Sequence, residues 1–147
     1  MKDFKQRLAL AGIICFVLAL FQVVIGFFPS LSLYLGAPEA LVKNSFALIV
    51  ASLFVAGVLV VFGLYALSGA GSIRKLPLLK QGLVAISCVF VIRGLLLLPE
   101  LLVVVGVFHV SIPVAPRFIL FSLGSLLIGI IFIAGTIGGW SSLSYKR

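Results

Sequence analysis

FVIRGLLLLPELLVV, Phe90 to Val104, is apolar enough to cross a bilayer, yet it keeps an arginine, a proline and a glutamate. If this run is a membrane span, Arg93 and Glu100 lie in or near hydrocarbon and need a physical reason to be there. An arginine at mid-membrane costs about 2.5 to 3.5 kcal/mol on the insertion scale, while each Leu, Ile, Val or Phe returns roughly 0.3 to 0.6 kcal/mol. The surrounding run from Gly82 to Val105 has enough of them to insert with its arginine. The stretch therefore reads as a transmembrane helix carrying a polar site.

The rest of the chain follows the same pattern. Further apolar runs cover Leu8 to Phe28, Phe46 to Leu67 and Phe118 to Trp140, and each meets the roughly 20 residues needed to cross roughly 30 Å of hydrocarbon. The 147 residues are 63% apolar and only 10% charged, with a mean hydropathy of +1.41, outside the range of ordinary soluble domains. A closed barrel would alternate apolar and polar positions, which these runs do not. KDFKQR followed by an apolar run resembles a secretion signal, but that run is too long for a signal and GFFPS supplies no cleavage pattern. The expected fold is all-α: four transmembrane helices, about 8–28, 46–67, 82–105 and 118–140, in an up-down bundle, with residues 1–147 forming one domain.

A net charge of +8 raises the question of nucleic acid. The basic residues, however, gather at helix ends. Lys2, Lys5, Arg7, Arg74, Lys75, Lys80, Lys146 and Arg147 fall on one side of the expected bundle, against Lys43 and Arg117 on the other. That asymmetry predicts cytoplasmic N and C termini in a bacterial inner membrane and assigns the charge to topology and lipid headgroups rather than nucleic acid.

Small and polar residues recur at helical spacing. Gly12, Cys15, Ala19, Gln22 and Gly26 share one face of the first helix, Ser45, Ser52, Ala56 and Gly63 one side of the second, and Ser122, Ser125, Gly129, Thr136 and Gly139 one face of the fourth. Such faces let helix backbones approach closely. Gly135 to Gly139 is a GxxxG, which suits packing within the bundle or contact with a second copy. The loop PSLSLYLGAPEALVKNS is apolar enough to lie on the membrane surface, with Pro38 and Glu39 opening a short helix and Tyr34 at headgroup level. A lid over an outward-facing cavity is the alternative reading of that loop. VFHVSIPVAPR forms the second outer loop. SGAG after the second helix reads as a glycine cap and turn, not as a phosphate loop.

Arg93 lies 13 residues beyond Lys80, roughly 20 Å from the interface at 1.5 Å per residue. Glu100 returns to the same face seven residues later, and Pro99 can bend the helix between them. Alternatively the helix ends near Leu98 and Glu100 is interfacial. Gln22 lies at nearly the depth of Arg93 and is expected to meet it. The candidate binding site is therefore Arg93, Glu100 and Gln22, receiving an anion, a polar headgroup or a proton, or else serving as an internal clamp between helices.

No catalytic or metal site is expected. Cys15 and Cys88 form no CxxC, His109 is the only histidine, and the chain has three acidic residues in all, too few to assemble a zinc site, a bis-histidine haem site or a catalytic triad. The two cysteines are expected to stay unpaired. LGAPEALVKN, FGLYALSGAGSIRKLPLL and IRGL resemble a pattern in small four-helix membrane proteins of bacteria, over most of the chain; the resemblance implies that fold and brings no activity or cofactor. The chain lacks the first-helix glutamate of the small multidrug exporters and the paired cysteines of the vitamin K epoxide reductase family. The functional expectation is a noncatalytic binding or accessory protein of the inner membrane, partnered by the bilayer and by further copies or a larger membrane protein. A small oligomeric transporter or channel for an anion or polar solute, and a lipid-modifying enzyme, are the alternatives.

Overall fold

The computed structural model describes residues 3–106 and 116–143, without the side chains of residues 116 and 117. Among them the chain is all-helical: α1 Asp3–Phe27, α2 Pro29–Tyr34, α3 Glu39–Val42, α4 Ser45–Ala70, α5 Leu79–Leu95, α6 Leu97–Val104 and α7 Pro116–Gly138. α1, α4, α5 with α6, and α7 give four segments long and apolar enough to cross a membrane. They coincide with the four expected runs and differ only at the ends. Most of the expected second outer loop, with His109, and the C-terminal Tyr145, Lys146 and Arg147 lie outside the described residues.

Large apolar side chains cover the outside of these helices, as at Leu20, Phe54, Val105 and Ile137, each about two-thirds exposed or more. A soluble bundle would bury such groups. This one leaves them outside and buries many small residues and serines along with a smaller set of large apolar groups, a pattern suited to a lipid exterior. α1 packs on α4 and α7, and α5 packs on α7 and, less extensively, on α4. Where α1 meets α4, a Cβ added at Gly12 would lie 3.1 Å from the Gly63 carbonyl oxygen. Both halves of the expected GxxxG serve the α1 contact within the chain, with Gly135 against Leu8 and Gly139 against the Phe4 ring. Ser52, Ala56 and Gly63 are buried as expected, while Ser45 is exposed.

The apolar core lies toward the end that holds the start of α1, the α4 to α5 connection and the end of α7. Leu8, Leu83 and Phe132 are fully enclosed there. Phe90 stacks on Phe132 at 5.7 Å and meets Phe62 edge-on at 5.9 Å. At this end Gly71 takes a left-handed conformation (φ 80°) and closes α4, with Ser72 N–H bonded to Leu67 O and Gly71 N–H to Ser68 O. That is a Schellman cap, as the SGAG spacing suggested. Ser68 Oγ then binds the connection twice, donating to Arg74 O and accepting from Leu76 N–H, both at 2.9 Å.

At the opposite end, the expected membrane-surface loop contains two short helices. Ser32, buried in α2, donates to the Ile25 carbonyl at 2.7 Å and ties α2 to the end of α1. Pro38 stands just before α3, and the Asn44 side chain accepts from Ala47 N–H to cap α4. Gly36, at φ 98°, lies under the ring of Phe118 from α7.

The third span is interrupted. Pro99 has no N–H to offer the Leu95 carbonyl, so the helical ladder breaks at Leu96 and resumes with Glu100 N–H to Leu96 O at 3.1 Å. Of the two sequence readings, the end near Leu98 does not hold, because α6 runs on to Val104; Pro99 interrupts the ladder, the premise of the other reading.

Candidate functional site: the Arg93, Ser122 and Glu100 cluster

The site is built where α5 and α7 cross. Gly94 makes the crossing possible, since a Cβ there would lie 2.6 Å from Leu126 Cα and 2.7 Å from its backbone nitrogen. Gly129 does the same one turn nearer the core, against Phe90 and Val91. With the backbones this close, the residue next to Gly94 reaches across to α7. That residue is Arg93.

Arg93 Nη1 donates to Ser122 Oγ at 2.7 Å, and Ser122 donates its hydroxyl hydrogen to Glu100 Oε2 at 2.5 Å. The guanidinium also lies 3.6 Å from Glu100 Oε1. A serine hydroxyl has one hydrogen to give and lone pairs to receive, so its position between a cation and an anion fixes the direction of both bonds. Each bond involves an ionised partner and falls in the short, strong class. Two other serines within α5 and α7 satisfy themselves locally: Ser125 bonds the Phe121 carbonyl and Ser87 the Leu83 carbonyl, four residues back. Ser122 instead turns outward to the ion pair.

Burial is uneven across the three. Ser122 is completely enclosed and the Glu100 side chain is 16% exposed, whereas the Arg93 side chain is 42% exposed. The carboxylate and hydroxyl are closed in; the guanidinium presents an open edge. An arginine carries five N–H donors, and among the described residues only Nη1 is engaged.

The structure brings Arg93 and Glu100 together, as expected, and leaves Gln22 out. Gln22 is half-buried on α1 and has no hydrogen-bond partner among the described residues. The reason is the packing order: α1 packs on α4 and α7, not on α5, so similar depth does not make Gln22 a neighbour of Arg93. Ser122 takes the bridging place. Its sequence signal was present, because α7 is the next long helix after α6 and antiparallel neighbours in sequence are usually neighbours in space. Cys15 is buried and Cys88 exposed, and both are free thiols. No family model matches the chain, and no curated protein or solved structure matches it either.

Proposed function

We propose that this chain is a multi-pass protein of a bacterial inner membrane, an up-down bundle of four spans with both termini in the cytoplasm. In this reading it acts without catalysis, as a binding or accessory protein, and Arg93 is the residue that meets the ligand or partner. The asymmetry of the polar cluster carries the reading. A helix clamp has no use for an arginine left 42% open beside a serine and a glutamate that are closed in. An intramembrane cation with free N–H groups gains from an anionic or polar acceptor, supplied by a ligand or by the helix of a partner membrane protein.

Thermal unfolding of wild type, Arg93→Met and Glu100→Gln in nanodiscs of one composition tests this. Removing one half of a buried pair costs roughly 3 to 5 kcal/mol in soluble precedents. Glu100→Gln is expected to lose stability on that order, because it strands the guanidinium. Arg93→Met is expected to lose less, because the carboxylate it leaves keeps its bond from Ser122 and the arginine itself is held at a structural cost. Equal losses in the two variants make the pair a clamp and end the binding reading.

A further inference from the structure

A second feature lies at the other end of the bundle, where α5 begins beside the end of α7. Between them opens a cavity of about 970 Å³ whose wall includes Lys75, Lys80, Val84, Ala85, Trp140 and Leu143. Its charge is of one sign, with two lysines and no acidic residue among the lining groups. Lys75 Nζ is held by the Ser142 carbonyl at 2.9 Å, which uses one of the ammonium's three donors. Lys80 Nζ lies 4.6 Å from the centre of the Trp140 ring. A cation over a ring face is held in position without spending its hydrogen bonds. Both ammonium groups are therefore fixed at the cavity and still able to donate.

Beyond the lysines the wall turns apolar. Val84 and Ala85 continue it along the exposed, bilayer-facing side of α5, one to two turns into the span. A cationic mouth joined to an apolar trough fits an amphiphile of opposite charge. A soluble anion would leave the trough empty, and a zwitterionic lipid would offset its phosphate with its own quaternary ammonium and leave the positive charge of the two lysines uncompensated. We propose that this groove binds one anionic glycerophospholipid, its phosphate between Lys75 and Lys80 and an acyl chain along Val84 and Ala85. With the cytoplasmic orientation proposed above, the lipid comes from the inner leaflet; the preference for anionic over neutral lipid does not depend on that orientation or on Arg93. Discrete binding of this kind differs from the diffuse attraction of basic residues to a charged surface, because it is stoichiometric and has an address.

Trp140 is the only tryptophan in the chain, so its fluorescence reports on this groove alone. The experiment reconstitutes the full chain in phosphatidylcholine vesicles carrying a minor fraction of bromine-tailed phosphatidylglycerol, or the same fraction of bromine-tailed phosphatidylcholine. Phosphatidylglycerol is expected to quench Trp140 more strongly at equal fraction. Lys75→Gln and Lys80→Gln are each expected to weaken that preference roughly fivefold, the usual worth of a basic residue at an anionic surface. Ala85→Phe, which fills the exposed trough and keeps both lysines, is expected to remove it with the fold unchanged by circular dichroism. Equal quenching by the two lipids overturns the proposal, as does a preference that survives in both the double lysine variant and Ala85→Phe. Loss of the preference on adding inorganic phosphate at constant ionic strength overturns the lipid assignment in favour of a free anion.

Discussion

Ser122 gives the polar cluster its order. It sits between a guanidinium and a carboxylate that are otherwise 3.6 Å apart, accepting from one and donating to the other. Ser122→Ala deletes both bonds and leaves Glu100 under-satisfied in a closed site, a loss of about 1 to 3 kcal/mol. Ser125→Ala, three residues on, removes only a bond to its own helix backbone and is expected to change stability by less than about 0.5 kcal/mol. Thermal unfolding of the two variants in one lipid composition checks the contrast. Arg93 and Glu100 were legible in the sequence because charge within an apolar run is conspicuous. Ser122 was visible only as one small residue in a stripe, because hydroxyls are common in membrane helices and nothing in the spacing says which one turns from its own backbone to a neighbour's charge.

At the scale of the helix, the contacts are set by where a backbone can approach another. Gly94 and Gly57 make the point as a pair. Both are helical glycines, but a Cβ at Gly94 would press on the backbone of Leu126, while one at Gly57 would meet nothing within 4 Å. Gly94→Ala is expected to destabilise by roughly 1 to 3 kcal/mol, because backbone cannot move aside as a side-chain tip can. Gly57→Ala is expected to be neutral or stabilising by up to about 1 kcal/mol, from helix propensity alone. Denaturant or thermal titration of the two alanine variants against wild type reads the difference. Spans and their small-residue faces were legible from composition and from the 3.6-residue period. The order of helices around the bundle was not, since apolar exteriors and small-residue stripes recur on α1, α4 and α7 alike; matching depths alone paired Gln22 with the wrong helix.

Across the whole molecule the two ends differ in how they are held. The end with the α4 to α5 connection has the aromatic and aliphatic core, the Schellman cap, the Ser68 staple and the bond from Lys75 to Ser142. The proposed orientation puts this end in the cytoplasm. In cells expressing a chain lacking Cys15 and Cys88, Ser72→Cys is expected to react with an impermeant maleimide only after the membrane is opened, and Ala40→Cys before; the reverse order would invert the topology. Among the described residues the far end has no comparable core, and the break at Leu96 weighs most there. α6 has no buried residue of its own, and its helical ladder is not continuous with that of α5. Among the described residues its polar tie to α7 is the bond that Glu100 accepts from Ser122. The outer part of the third span is therefore expected to open more readily than the core end, with Glu100 as its latch. Amide hydrogens of Leu101 to Val104 should exchange well ahead of those from Leu83 to Phe90, and Glu100→Gln should speed exchange in Leu101 to Val104 further. A ligand that drew Arg93 away from Glu100 would release the same latch, so occupancy at the arginine and motion of α6 would be a single event.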